Sequence, residues 1–320
     1  MRSDIVADWV ARSEWAGWKR IAMTGDASAR RYERLCSPNG TTVILMDAPP
    51  ETCGSQGRFV EIAAHLKMLG LAAPEVLACD EASGLLMLSD LGQVDFARHL
   101  RAKPSDEALL YSGAVDVLCK LQSSPPPVDL TRMTPDVGAD MIGIAFEWAA
   151  RDKSSDLAVE ITFHVQQLLQ QVDPMPSVLS LRDFHAENLI WRPQYAELDR
   201  IGLLDFQDAF VTHPTYDLAS LVRDARRDVD SDLLTELLTQ LAGDGAELTE
   251  FKQAFHVMAI QRNLRILGIF QRLARQDGKT GYLDLVPRVW QHLQTDLSAG
   301  GFTELARLVL RAFGQSEATS

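Results

Sequence analysis

The chain has 320 residues, 46% of them hydrophobic, enough to bury a substantial core in one large or two medium domains. Its 31 Lys and Arg against 44 Asp and Glu leave a net charge of -13, a field that repels nucleic acid and anionic membranes, so neither is expected as a partner. Cys36, Cys53, Cys79 and Cys119 show no C-x-x-C spacing, and no apolar run approaches the roughly 18 residues of a membrane span, which argues against a zinc site, a disulfide framework or a membrane-spanning protein. No charged segment leading into an apolar one opens the sequence, so a cytoplasmic location with reduced thiols is expected.

In chain order, Met1 to Trp18 carries three tryptophans and mixed charge and reads as a helix packed on a first lobe. Ile21 to Thr24 leads into a loop at Gly25, and Arg31 to Cys36 and Thr41 to Asp47 read as strands around Ser37-Pro38-Asn39-Gly40, where Asn-Gly signals a hairpin. Arg58 to Leu69 places Phe59, Ile62, Ala63, Leu66 and Leu69 on one helical face, with Gly70 as the stop. Glu75 to Cys79 and Gly84 to Leu88 complete a small antiparallel sheet, and Ser89-Asp90-Leu91-Gly92 leaves it as a hinge. The expected division is therefore a first lobe over 1-90 and a second, mostly helical one over 91-320.

Beyond Pro104, Ser105 is expected to cap a helix with Asp106 and Glu107 in its first turn, and Leu109, Leu110, Ala114, Val117, Leu118 and Leu121 repeat at helical spacing. Ser123-Ser124-Pro125-Pro126-Pro127 ends that helix. Helices are expected over Met141 to Arg151 and Leu157 to Val172, and again toward the C-terminus after two short hairpin strands. Those strands are Leu189-Ile190-Trp191 and Ile201-Gly202-Leu203-Leu204, joined by a polar connection through Pro193.

The hairpin is bracketed by Asp183-Phe184-His185-Ala186-Glu187-Asn188 and Asp205-Phe206-Gln207. Phosphoryl transfer needs a carboxylate beside the acceptor hydroxyl and oxygen ligands for the metal that accompanies the triphosphate. Asp183 suits the first role, as general base. Asn188 and Asp205 suit the second, as magnesium ligands, while His185 reads as a hydrogen-bonding group of the loop.

This stretch resembles the catalytic and metal-binding loops of the aminoglycoside phosphotransferase superfamily, whose members share the protein-kinase-like fold. Gly25 to Tyr32, Leu45 to Glu51, Asp205 to Ala209, Thr215 to Leu221 and Leu267 to Phe270 look most like one branch, the bacterial anomeric kinases that phosphorylate N-acetylmuramate and N-acetylglucosamine at C1 in cell-wall recycling. The resemblance runs from about residue 20 to residue 288. It implies an α+β, two-lobed fold, ATP and Mg2+ as cofactors, and a small hydroxylated acceptor such as an N-acetyl amino sugar. A monomer is expected.

Within that resemblance, Gly25, Asp26, Ala27 and Ser28 would cover the nucleotide phosphates, and Met87, Leu88 and Ser89 would meet the adenine edge, with Val43 and Ile190 as apolar walls. Asp217 would cap its helix and brace the catalytic loop. Gln207, Asp208, Arg223, Asp224 and Asn263 are acceptor candidates by position and polarity. Two departures stand out. Leu181-Arg182-Asp183 lacks the histidine that usually opens the catalytic loop, and Val43 to Asp47 lacks the phosphate-gripping lysine, with no lysine between Lys19 and Lys67. Arg30 or Arg31, with Glu61 as partner, would supply that cation. Choline-like or aminoglycoside acceptors and a non-catalytic nucleotide-binding scaffold are the competing readings. A protein kinase fits less well, because no A-P-E segment follows Asp205.

Overall fold

The computed structural model describes residues 1–23, 29–243 and 248–314. Its chain divides into two compact units, Met1–His99 with Asn188–Asp208, and Leu100–Glu187 with Ala209–Ser320. An antiparallel sheet dominates the first and helices the second, the α+β arrangement expected from the sequence.

The first unit is built on five strands, β1 (Lys19–Ala22), β2 (Arg31–Cys36), β3 (Thr42–Asp47), β4 (Val76–Asp80) and β5 (Leu85–Ser89), in the order β1-β2-β3-β5-β4. The β2–β3 hairpin turns where Asn-Gly predicts it, with Cys36 opposite Thr42 and Gly40 at φ +90°. Val6, Val10 and Trp15 seal Leu35, Val43, Leu45, Leu85 and Met87 from water, so α1 (Arg2–Ala11) covers one face of the sheet. That helix ends well before Trp18. The Ser13 hydroxyl donates to the Val10 carbonyl (2.8 Å) and accepts the Trp15 N–H (3.2 Å), local bonds that compete with helix continuation.

A single turn, α2 (Pro50–Cys53), precedes α3 (Gly57–Met68), which buries Phe59, Ile62, Ala63 and Leu66 as its spacing predicts. Gly70 stops it in a left-handed conformation (φ +76°). Its N–H reaches the Lys67 carbonyl (2.9 Å) and that of Leu71 the Leu66 carbonyl (3.0 Å), the paired bonds of a Schellman cap. The short α4 (Phe96–Ala102), absent from the sequence reading, is started by the Asp95 carboxylate accepting the Arg98 N–H at 2.6 Å.

In the second unit, α5 (Glu107–Gln122) begins after a 3-10 turn over Pro104–Asp106, and Asp106, not Ser105, precedes its first residue. The helix expected over Met141 to Arg151 is two pieces, α6 (Pro135–Asp140) and α7 (Gly143–Trp148). Thr134 caps the first by accepting the Val137 N–H (3.4 Å), and glycine, a poor helix former, opens the second. The amphipathic α8 (Ser155–Val172) buries Leu157, Ile161, Val165 and Leu169 at four-residue spacing.

Strands β6 (Val178–Ser180) and β9 (Phe210–Thr212) pair antiparallel across about thirty residues, with no turn between them to mark a hairpin. Strands β7 (Leu189–Trp191) and β8 (Ile201–Leu203) form the expected hairpin and belong to the first unit. There Phe206 stacks on Phe59 with centroids 5.0 Å apart, and the Leu203 N–H meets the Ala72 carbonyl at 2.7 Å.

Helices α9 (Thr215–Val222), α10 (Leu233–Ala242), α11 (Leu248–Arg275), α12 (Val286–Ala299) and α13 (Thr303–Phe313) complete the second unit. Its core joins Ile161, Leu264, Leu267, Leu293 and Leu308. A Cβ on Gly268 of α11 would lie 2.4 Å from the Ile144 carbonyl oxygen, so only glycine allows α7 to pack this closely. No helix among the described residues is long and apolar enough to cross a membrane.

Candidate active site

Within the second unit, β6 delivers the chain to Leu181, Arg182 and Asp183. Arg182 has φ +71°, a left-handed conformation that non-glycine residues adopt at a cost of about 1–3 kcal/mol when the surroundings enforce it. Here Asp217 enforces it. Its Oδ1 accepts the Ser180 hydroxyl (2.7 Å) and the Arg182 N–H (3.0 Å), and its Oδ2 accepts the Leu181 N–H (2.7 Å).

The Asp217 side chain is only 1% exposed. Burial pushes its carboxyl up to about 6, against the pull of those three hydrogen bonds and with the help of the nearby Asp183 charge. The sequence assigns Asp217 both a capping and a bracing role, and the structure supports the second. Thr215 at the start of α9 instead donates its N–H to His213 Nδ1 at 3.2 Å.

Asp183 itself is half-buried at the head of this braced loop. Two further contacts tie the loop to α9 and to the segment after it: the Ser220 hydroxyl of α9 donates to the Arg182 carbonyl (3.2 Å), and the Arg226 Nε pairs with Glu187 Oε2 (2.7 Å). His185 is buried. Desolvation, then the charges of Arg226 and Arg262, hold its imidazole neutral.

Arg262 has no sequence signal beyond its place in α11. It is 5% exposed, donates from Nη1 to the Arg223 carbonyl at 3.4 Å, and has no carboxylate within ion-pair distance among the described residues. Desolvation lowers its pKa, while Tyr216, Asp183 and Asp224 favour its charge.

Within the first unit, Asn188 and Asp205 sit at the two ends of the β7–β8 hairpin, where the Leu204 N–H donates to the Asn188 carbonyl at 3.0 Å. Asp205 has φ +58° and an exposed side chain, a second enforced left-handed conformation. Gln207, an acceptor candidate from sequence, donates from Nε2 to Asp205 Oδ1 at 2.8 Å and so steadies that carboxylate. Asp208 is exposed beside it.

No cluster of three or more His, Cys, Asp or Glu side chains is built for a metal among the described residues. An amide oxygen and one exposed carboxylate are nevertheless a donor set that suits magnesium, which keeps several waters and shares its shell with substrate phosphates.

Gly25, Asp26, Ala27 and Ser28 lie outside the described residues. Arg31 is exposed opposite Asp47, whose carboxylate accepts from Arg2 Nε (2.8 Å), whereas Arg30 is half-buried. Burial pushes the Tyr32 phenol up to about 12; Arg30 opposes that shift and Asp205 adds to it, so both charges act on one ring. Glu61 pairs with Arg58 on its own helix (2.8 Å).

Met87 and Leu88 are buried between β3 and β4, their backbones committed to the ladders, and Ser89 ends the strand, its hydroxyl accepting the Glu75 N–H (2.8 Å). The next residue, Asp90, is gripped by Arg34 Nε (2.6 Å) and Nη2 (3.2 Å), and Nη2 also donates to the Gly92 carbonyl (3.1 Å). Burial raises the Asp90 pKa, but hydrogen bonds from Arg34, the Gly92 N–H and Thr42 outweigh it and hold the carboxyl below its usual range. Pairing across 56 positions left no signal in the sequence.

The other acceptor candidates lie in the second unit. The Arg223 guanidinium is spent on Asp296 (Nε to Oδ2 2.9 Å, Nη2 to Oδ1 2.7 Å). Asp224 and Asn263 are buried; Asp224 Oδ2 and both amide atoms of Asn263 have no hydrogen-bond partner among the described residues.

A small antiparallel sheet, a helical remainder and a braced Asp-bearing loop define a kinase-like phosphotransferase. The same fold is seen in a choline/ethanolamine kinase family protein from Mesorhizobium loti, with a TM-score of 0.67 at 17% identity over 97% of this chain and 99% of that one. The chain belongs to the phosphotransferase enzyme family, whose model matches residues 19–251. It is 34% identical over 328 aligned positions, 90% of each chain, to an N-acetylmuramate/N-acetylglucosamine kinase of Caulobacter vibrioides. A Neisseria meningitidis protein of the same name is 32% identical over 84% of this chain and 83% of its own.

Proposed function

We propose that this enzyme moves the terminal phosphoryl group of ATP onto the C1 hydroxyl of N-acetylmuramate or N-acetylglucosamine, acting as a cytoplasmic monomer. The observation that carries this reading is the 34% identity, spanning 90% of both chains, to a kinase of that name. Asp183 accepts the proton of the C1 hydroxyl as its oxygen bonds to phosphorus and the bond from phosphorus to the departing ADP oxygen breaks.

Asn188 and Asp205 hold Mg2+, which when bound neutralises charge on the phosphates. Arg30 stands in for the missing lysine, a choice over Arg31 supported by its partial burial and its effect, shared with Asp205, on Tyr32. Gly25 to Ser28 cover the phosphates, and the backbone around Ser89 meets the adenine.

Acceptor-dependent ADP release tests the reading, with ATP and magnesium, across both N-acetyl sugars, free hexoses, choline and an aminoglycoside. Asp183→Asn should lose at least a thousandfold in kcat while binding nucleotide within about twofold of wild type. Turnover confined to choline or the aminoglycoside would refute the sugar assignment and leave the family intact.

A further inference from the structure

The end of α9 and the segment that follows it are stitched to the catalytic loop on either side of Asp224. Ser220 reaches the Arg182 carbonyl and Arg226 reaches Glu187, so Asp224 runs alongside the stretch that carries Asp183. The Asp224 side chain is 1% exposed, and its direction is fixed because Oδ1 accepts the Arg226 N–H at 2.9 Å. The other oxygen, Oδ2, has no donor among the described residues. A buried carboxylate oxygen without a donor is costly, and such groups mark places where something else completes the hydrogen bond.

We propose that Asp224 Oδ2 accepts a hydrogen bond from a ring hydroxyl of the acceptor sugar and so holds that sugar beside Asp183, an assignment that rests on the sugar-kinase reading above. Charge selects this ligand class. Arg226 Nη1 lies 3.8 Å from Oδ1, and the buried Arg262 interacts with both Asp224 and Asp183. Two guanidinium groups already supply the countercharge of this carboxylate. A second cation, such as the ammonium of an aminoglycoside or choline, would be repelled there, whereas a neutral hydroxyl gains a charge-assisted acceptor.

A cycle between protein and ligand tests the assignment. N-acetylglucosamine and its 3-, 4- and 6-deoxy analogues are compared as acceptors for wild type and Asp224→Ala. For wild type, deletion of one particular hydroxyl should cut kcat/KM by about 10- to 100-fold, the worth of a hydrogen bond to a charged group, mostly through KM. For Asp224→Ala, activity on the parent sugar should fall similarly, and that same deletion should cost no more than about twofold further.

Equal penalties for every deoxy analogue in both proteins would mean that Asp224 only holds the loop, and would overturn the proposal. Should Asp224→Ala not fold, the wild-type series still decides: no single deletion costing more than threefold overturns it too. A wild type that phosphorylates none of these sugars removes the functional reading itself, a result distinct from sugar turnover that ignores Asp224.

Discussion

Replacing Asp217 by asparagine changes one atom in a buried cradle and should disturb both stability and rate. Two orientations of the amide are available. With its nitrogen toward Leu181, it opposes the N–H now held at 2.7 Å; with its nitrogen on the other side, the Ser180 hydroxyl can rotate to accept, and the Arg182 N–H loses its bond of 3.0 Å. Either way charge-assisted bonds become neutral ones, about 1 kcal/mol each; in the first orientation the Leu181 N–H also loses its acceptor, about 1–3 kcal/mol, whereas in the second the Arg182 N–H keeps the Ser180 hydroxyl oxygen at 3.0 Å.

Against this, the amide removes a buried charge. The carboxyl rises from 3.8 to about 6, roughly two units or about 3 kcal/mol of disfavoured ionisation. That shift already includes the pull of the three hydrogen bonds, so it sets how far the stability gap between the two proteins narrows from pH 4 to pH 7.5, about 3 kcal/mol. Sign follows from linkage: between about pH 4 and 6 the native carboxyl holds a proton that the unfolded one has released, so wild-type stability falls as pH rises through this window. The variant lacks that dependence, and the gap between the two proteins should shrink from pH 4 to pH 6. Urea denaturation across pH measures it. Since the cradle sets the backbone that presents Asp183, kcat should drop about 10- to 100-fold. A variant with unchanged kcat and a parallel pH–stability curve would refute the reasoning.

Gly268→Ala should cost about 2 kcal/mol in chemical denaturation, because the added methyl meets the Ile144 backbone; at an open helical site the same change would stabilise by nearly 1 kcal/mol. Arg34→Met strands an Asp90 side chain that is only 5% exposed and should lose about 3–5 kcal/mol, with much of the loss recovered by adding Asp90→Asn. Because pairing depresses the Asp90 pKa, wild type should shed this contribution as pH falls below about 4, and the double variant should not. Asp205→Asn should raise the magnesium concentration for half-maximal rate by at least tenfold, read from a metal titration at saturating ATP.

Local patterning made parts of this molecule readable. Helix α3 announces itself by Phe59, Ile62, Ala63 and Leu66 and by the glycine that ends it, because the same residues form the helix and bury it. The β7–β8 hairpin and the amphipathic α8 were legible for the same reason. Strands β6 and β9, equally short, were not, since they pair across about thirty residues and no turn signal joins them. Helix α1 stopped early because a serine side chain took over its backbone bonds.

At the site, residue types and spacing pointed to Asp183, Asn188 and Asp205. Their supports were hidden: Gln207 read as an acceptor contact because nothing in the sequence aims its amide at Asp205, and Arg262 lies nearly eighty positions beyond Asp183.

The first unit draws on two stretches of chain, with Asn188–Asp208 supplying the hairpin that packs on Phe59 and Ala72. A ribosome therefore releases the five-stranded sheet long before the piece that finishes it. Until residue 208 has emerged, Phe59 lacks its aromatic partner and the Ala72 carbonyl its donor, through the synthesis of about a hundred intervening residues, or roughly 5–20 seconds at about 5–20 residues per second. Synthesis order thus leaves this unit waiting for its last piece, and pausing before the hairpin codons should lower the yield of folded enzyme.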